Sequence, residues 1–287
     1  MSAATTTPAT APAVGAATHR VTFPRLLRSE RIKLFTVRST TWTLGTFFVG
    51  FVGLALLISL AFANASDEGV DPGIGPVAAL AVLQPVVQLA QVAVVVLGAL
   101  AITSEYSTGM IRASLAAAPR RLGVLWAKAI VVWVVVFVVS AVAVGIAMSL
   151  QRLLFDSKGL SVDLGDSQIQ RALLGTALYL ATIALLAFAL GALLRHSAAT
   201  LGIALAVLIV LPIVFSAIPW DPLHTMFPYL PNVAGTQIMA TDAQIEFSNA
   251  ASEELQGLSA WGGFAVLWAY VVVLLGAAAI QLKRRDA

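Results

Sequence analysis

The residues able to do chemistry are few, and most gather in one stretch between two long apolar runs. It reads Thr103-Ser104-Glu105-Tyr106-Ser107-Thr108-Gly109-Met110-Ile111-Arg112, then Ala113–Ala118, Pro119-Arg120-Arg121 and, inside the next run, Lys128. The alanine-rich centre predicts a short helix from Ile111 to Ala118, which Pro119 stops. A compact charged helix between two apolar segments suits docking to a soluble partner, and a solvated turn would use the same residues. A second polar group lies within an apolar run. Gln84, Gln88 and Gln91 are spaced four and three apart, which places them on one helical face. They would either line a translocation path or hydrogen-bond to a neighbouring helix. Pro85 beside Gln84 predicts a kink.

Other chemistries lack their residues. There is no cysteine, which excludes disulfides, thiolate metal sites and cysteine nucleophiles. His19, His196 and His224 are far apart and none has a ligand at helical spacing, so no metal site is expected. A Walker A loop needs a lysine after glycine, yet the lysines follow Ile32, Ala127, Ser157 and Leu282. No apolar run carries Asp, Glu, His, Lys or Arg near its midpoint, where proton-coupled transporters place such groups. No constellation for an intramembrane enzyme is visible either, and the chain is not expected to be a catalyst by itself.

The elements that must position these residues follow from hydropathy. Of 287 residues 59% are apolar and 11% charged, and mean hydropathy is +0.92. Soluble domains carry about 25% charge. A span needs about 20 apolar residues, and six runs qualify, approximately 42–62, 77–102, 124–150, 171–194, 198–218 and 262–281. Lys128 and Arg171 fall near the ends of their runs, where long stems can snorkel. Residues 1–19 are largely Ala, Thr and Pro and predict a disordered tail. In segment 20–41, Phe23, Leu26, Leu27, Leu34 and Val37 share one helical arc, flanked by basic residues and interrupted by Glu30. That pattern predicts an amphipathic helix on the membrane surface. The 219–261 segment, rich in Pro and aromatics, suits short re-entrant or interfacial helices on the outer face, and equally an exposed loop with an aromatic belt.

Orientation follows from Lys and Arg. Segments 1–41, 103–128, 195–197 and 282–287 carry six, four, one and three of the 17 basic residues, whereas 151–171 holds the other three. The asymmetry places both ends in the cytoplasm. The basic residues at the ends of runs, rather than over a soluble face, argue against nucleic acid despite a pI near 9.5. The expected fold is an all-α integral membrane protein of the cell membrane. It has six transmembrane helices, cytoplasmic termini, an amphipathic N-terminal interfacial helix at 20–41, a 42–287 transmembrane domain, and short outer helices before the last span.

The Glu105-to-Lys128 stretch resembles the coupling loop of ABC-2 type permeases. Glu105, Ser107, Gly109, Arg112, Pro119, Arg121 and Lys128 occupy the matching places, and Met110 stands where Thr is more usual. Ser29-Glu30-Arg31-Ile32-Lys33-Leu34 looks like that family's N-terminal interfacial helix, and the closing Lys283-Arg284-Arg285-Asp286 fits as well. The likeness extends from about Arg20 to the end. It implies the permease subunit of an ATP-binding-cassette exporter, paired with a second permease, by expectation an identical one. Two copies of a separate ATPase subunit would bind the ATP, and the chain itself would need no cofactor. Glu105, Tyr106, Gly109, Arg112, Pro119, Arg120 and Arg121 would then form the contact with the ATPase. The rival readings are an ATP-independent transporter or channel, and a membrane scaffold or sensor.

Overall fold

The computed structural model describes residues 22–65, 75–110, 121–160, 162–218, 220–251 and 257–284. The predicted tail at 1–19 and the predicted Ile111–Ala118 helix lie outside them. Every regular element among the described residues is helical. In hydrocarbon only a helix or a closed barrel satisfies all backbone groups internally.

Helix α1 is Phe23–Thr36, α2 Arg38–Ala65, α3 Gly75–Ser107, α4 Arg121–Asp156 and α5 Ser167–Leu194. Helix α6 (Ser197–Leu205) passes through one π-helical turn at Ala206–Val210 into α7 (Leu211–Ala217). Short pieces follow, α8 (Asp221–Met226), α9 (Pro231–Thr236) and α10 (Asp242–Ala251), before α11 (Ala260–Arg284). Among the described residues six segments are long and apolar enough to span a bilayer: α2, α3, α4, α5, the continuous α6–α7 unit and α11. The protein is therefore an all-α, six-span membrane protein. The helices extend past the apolar runs because polar end residues continue the hydrogen-bond ladder into the interfacial zone.

Helix α5 is the centre, the most buried of the six, with α3 next. Its buried stretch from Tyr179 to Ala189 includes Ala181, Ala184, Ala187 and Ala189. Small residues let backbones approach, and in lipid close van der Waals packing replaces the hydrophobic drive. A Cβ on Gly98 of α3 would lie 2.0 Å from the Ala184 carbonyl oxygen, so only glycine fits that crossing. Conversely, Trp126, Ile130, Val134, Val138, Val142 and Ile146 are exposed at a spacing of four along α4. An apolar exposed stripe of that length is a lipid-facing surface.

Helices α1 and α2 are separated by a break at Val37, which is extended (φ −78°, ψ 113°). Pro24 opens α1, where its missing N–H costs nothing. The break turns α1 against α4 and buries Glu30 and Leu34.

The chain between α7 and α11 folds back into the bundle. Pro231, Asn232, Ala234 and Gly235 of α9 are buried against α11. A Cβ on Gly263 of α11 would meet the Ala234 carbonyl oxygen at 2.2 Å. The exit is anchored by Arg171 at the start of α5, whose Nη1 lies 2.8 Å from Asp242 Oδ1. Its Nη2 donates to the Ala240 carbonyl at 2.9 Å.

Candidate functional site

Two polar assemblies stand out in a largely apolar molecule. The first joins three elements at the foot of the 108–120 link. Helix α1 supplies Glu30 and Lys33, one turn apart. The end of α3 supplies Glu105, and the second turn of α4 supplies Lys128. Lys128 Nζ donates to Glu105 Oε1 at 2.8 Å and to Glu30 Oε2. Lys33 Nζ donates to Glu30 Oε1 at 2.8 Å and lies 3.5 Å from Glu105 Oε1. Glu30, Glu105 and Lys128 are 3%, 6% and 5% exposed. Two carboxylates and two ammoniums balance to zero, which is the condition for holding ions out of water. Burial lowers the pKa of Lys33, yet the bond to Glu30 and the charges of Glu105 and Glu30 together outweigh it. Lys33 is thereby held above the ordinary lysine value. A cavity of about 390 Å³ opens beside the cluster, lined by its charged residues, by Thr36, Ser39, Thr40, Ser104 and Thr108, and by apolar residues of α1, α3 and α4.

This arrangement changes the reading of two residues. Lys128 does not snorkel to the surface; its stem runs inward to the carboxylates. Glu105 likewise turns inward, with Oε2 buried and without a partner among the described residues. The face left open at that end carries Ser104 and Ser107 of α3 and Thr108 just after it. Tyr106 is half-buried, and the Arg195 guanidinium sits over its ring at 5.2 Å. Arg195 caps α5 in the left-handed region (φ 57°), a conformation costing about 1–2 kcal/mol in a non-glycine residue. The contact with Tyr106 returns about 0.5–1 kcal/mol of that and ties the α5–α6 turn to the end of α3. Gly109 has φ +72°, where L side chains are strained, so glycine turns the chain out of α3. Arg112, Pro119 and Arg120 lie outside the described residues, and Arg121 opens α4.

The second assembly is a polar thread at mid-bundle. Gln91 is fully buried, whereas Gln84 and Gln88 are exposed. Gln91 Nε2 donates to Gln88 Oε1 at 2.6 Å. Tyr179 Oη lies 2.8 Å from Gln91 Oε1 and 2.6 Å from Asn232 Oδ1. A phenol has one proton. It serves Asn232 when the two glutamine amides rotate, because Gln91 Nε2 then donates to Tyr179. Asn232 Nδ2 donates to the Leu208 carbonyl at 2.8 Å. That carbonyl is free for a reason written in the sequence. Its helical donor would be residue 212, which is proline and has no N–H. The chain responds with the π turn, in which the Leu211 N–H bonds the Ala206 carbonyl. Gln91, Tyr179 and Leu208 each lie within two residues of the midpoint of their span. Asn232 therefore reaches mid-depth, and the segment that carries it is re-entrant rather than interfacial. The glutamines thus divide: Gln91 makes the interhelical bond, Gln88 supports it, and Gln84 lines a separate cavity of about 660 Å³ between α3 and α10.

Among the described residues no group of His, Asp and Glu is placed to hold a metal ion. Residues 37–287 match the family described as "Protein of unknown function (DUF2705)". The chain belongs to that family. No curated protein matches it. The DUF2705 match begins at the break between α1 and α2. It therefore contains Glu105 and Lys128 and leaves Glu30 and Lys33 before its start.

Sequence reasoning located Glu105 and Lys128 and missed that Glu30 meets them. The signal was present as the one acid interrupting an apolar arc. Tyr179 and Asn232 were also missed. Pro212 was their signal, since it frees a carbonyl that some donor must satisfy.

Proposed function

We propose that this chain is the permease subunit of an ATP-binding-cassette exporter, with its termini and the 108–120 link in the cytoplasm of the cell. The observation that carries the reading is the buried Glu30–Lys128–Glu105 cluster. The link leaves α3 just after Glu105 and enters α4 just before Lys128, and both residues grip α1. A push on the link therefore cannot be absorbed locally. It moves α1 and the feet of two spans together, which is what a membrane subunit driven by an external motor requires. Glu105 acts as the inner anchor of the link, whereas Gly109, Arg112, Pro119, Arg120 and Arg121 belong to the part presented to an ATPase subunit.

The reading implies two ATPase copies and a second permease copy. Exposed amides are costly against hydrocarbon, so Gln84 and Gln88 would face that second copy or the path. The absence of any mid-span charge in the sequence disfavours an ion-coupled carrier. The test is purification of the tagged chain from its native membrane. An ATPase subunit should co-elute, and substituting Arg120 and Arg121 by Glu should release it. A reporter inserted after Gly109 should be active only on the cytoplasmic side. A periplasmic or extracellular signal there, or transport that persists with ATP exhausted, overturns the proposal.

A further inference from the structure

A second groove runs between α1 and α4, sharing Val131 with the cavity beside the ionic cluster but lined by none of the cluster's charged residues. Its volume is about 460 Å³, and Leu27, Arg28, Arg31, Ile130 and Val134 help to line it. Arg28 and Arg31 are one turn apart on α1 and both are exposed. No ion pair of either is found among the described residues, although Glu30 lies between them in sequence. Helical geometry explains this. Glu30 points into the bundle and is committed to Lys128 and Lys33. The arginines keep their charge on the other side.

The floor of the groove is of the opposite character. Ile130 and Val134 are 42% and 44% exposed, and they belong to the Trp126–Ile146 stripe that faces lipid. The groove thus has a cationic rim of two guanidinium forks and an apolar bed that continues along a bilayer-facing helix. Guanidinium forks match phosphate oxygens in pairs. A soluble phosphate has nothing to place on the bed. An acidic peptide would have to leave water for the acyl zone.

We infer that this groove is a binding site for an anionic phospholipid, with the headgroup phosphate between Arg28 and Arg31 and an acyl chain along Ile130, Val134 and Val138. The bound lipid fixes α1 on the membrane surface. The site depends on neither the proposed ATPase nor the cargo.

The test is native mass spectrometry of the full-length chain in neutral detergent with phosphatidylglycerol or phosphatidylcholine. Each arginine near an anionic surface is worth about a fivefold preference, so the pair should favour phosphatidylglycerol by about 25-fold at low salt. R28Q/R31Q should bring the preference close to unity. R38Q, which removes an exposed cation outside the groove, should leave it unchanged. Val134→Trp, which fills the bed and keeps both charges, should weaken retention of the lipid. The site is refuted if R28Q/R31Q retains the full preference, or if R38Q loses as much, since binding would then be diffuse. Competition by millimolar inorganic phosphate would show a soluble-anion site and overturn the lipid assignment. All three variants change exposed side chains, and an unaltered melting profile confirms that each is folded.

Discussion

Replacing Lys128 by Met keeps the length of the side chain and removes the charge that faces both buried carboxylates. Among the described residues Lys33 would then be the only cation left to Glu30 and Glu105. It lies 2.8 Å from Glu30 Oε1 but 3.5 Å from Glu105 Oε1, and its side chain is 33% exposed. One carboxylate is thus left buried and poorly paired. Breaking a buried ion pair from one side costs about 3–5 kcal/mol. Glu105→Gln is isosteric and removes one charge-assisted bond, at about 1.5–3 kcal/mol. The double variant K128M/E105Q restores neutrality and keeps the Glu30–Lys33 pair. Its cost should therefore be no greater than that of K128M alone, a coupling of about 2 kcal/mol. The assay is equilibrium unfolding in mixed micelles, followed by tryptophan fluorescence. Raised salt should leave the coupling in place, because the cluster is buried. The reasoning fails if K128M lies within about 1 kcal/mol of the parent, or if the two single costs simply add.

Tyr179→Phe removes the hydroxyl between Gln91 and Asn232 and should cost about 0.6–1.7 kcal/mol in the same unfolding assay. The re-entrant segment should then exchange its amide hydrogens faster, as hydrogen-exchange mass spectrometry would read. Gly98→Ala places a methyl 2.0 Å from the Ala184 carbonyl, and a backbone oxygen cannot swing aside. A loss of about 1–3 kcal/mol is expected, whereas Gly50→Ala, with nothing near its Cβ, should be neutral or better. Lys33 has a folded pKa raised above its ordinary 10.5. Its contribution is therefore complete below that value and is lost as pH rises through the folded one. Melting temperature should fall on alkaline titration only above about pH 10.5, and Lys33→Met should flatten that limb.

The spans were legible because hydrocarbon sets a length and a composition that few soluble helices meet. Five of the six apolar runs lie wholly within helices the structure contains, and the run 198–218 ends one residue past α7, at the extended Ile218; the helices differ from the runs mainly at their ends. Length was harder to read than existence. Helix α4 runs to Asp156, past the end of its run at Leu150, because Phe155 in the added turn is fully buried in the core; Arg152 and Asp156 also pair across that turn at 3.5 Å. The re-entrant segment was legible in kind but not in depth. Its Pro and aromatic residues suggest a surface loop equally well, and depth is decided by where Asn232 finds an acceptor.

The ionic cluster shows why a site can be spelled out in the sequence and still not be read. Glu30, Glu105 and Lys128 are separated by 75 and 23 residues, and no local periodicity links them. Each alone has an ordinary explanation: a flaw in an amphipathic arc, the charged end of a span, a snorkelling lysine. Their meeting depends on the break at Val37, which lays α1 along α4 instead of continuing α2. The physical clue is one of cost. An acid on the apolar face of a membrane-surface helix is tolerated only with a partner. A lysine several residues inside an apolar run demands the same. Two such violations of opposite sign, at the same end of the molecule, cancel only if they touch. Glu105 then completes the balance with Lys33. A sequence with Glu30 replaced by an apolar residue would make a cleaner amphipathic helix, and would take from Lys128 and Lys33 the carboxylate that they share at the foot of the link.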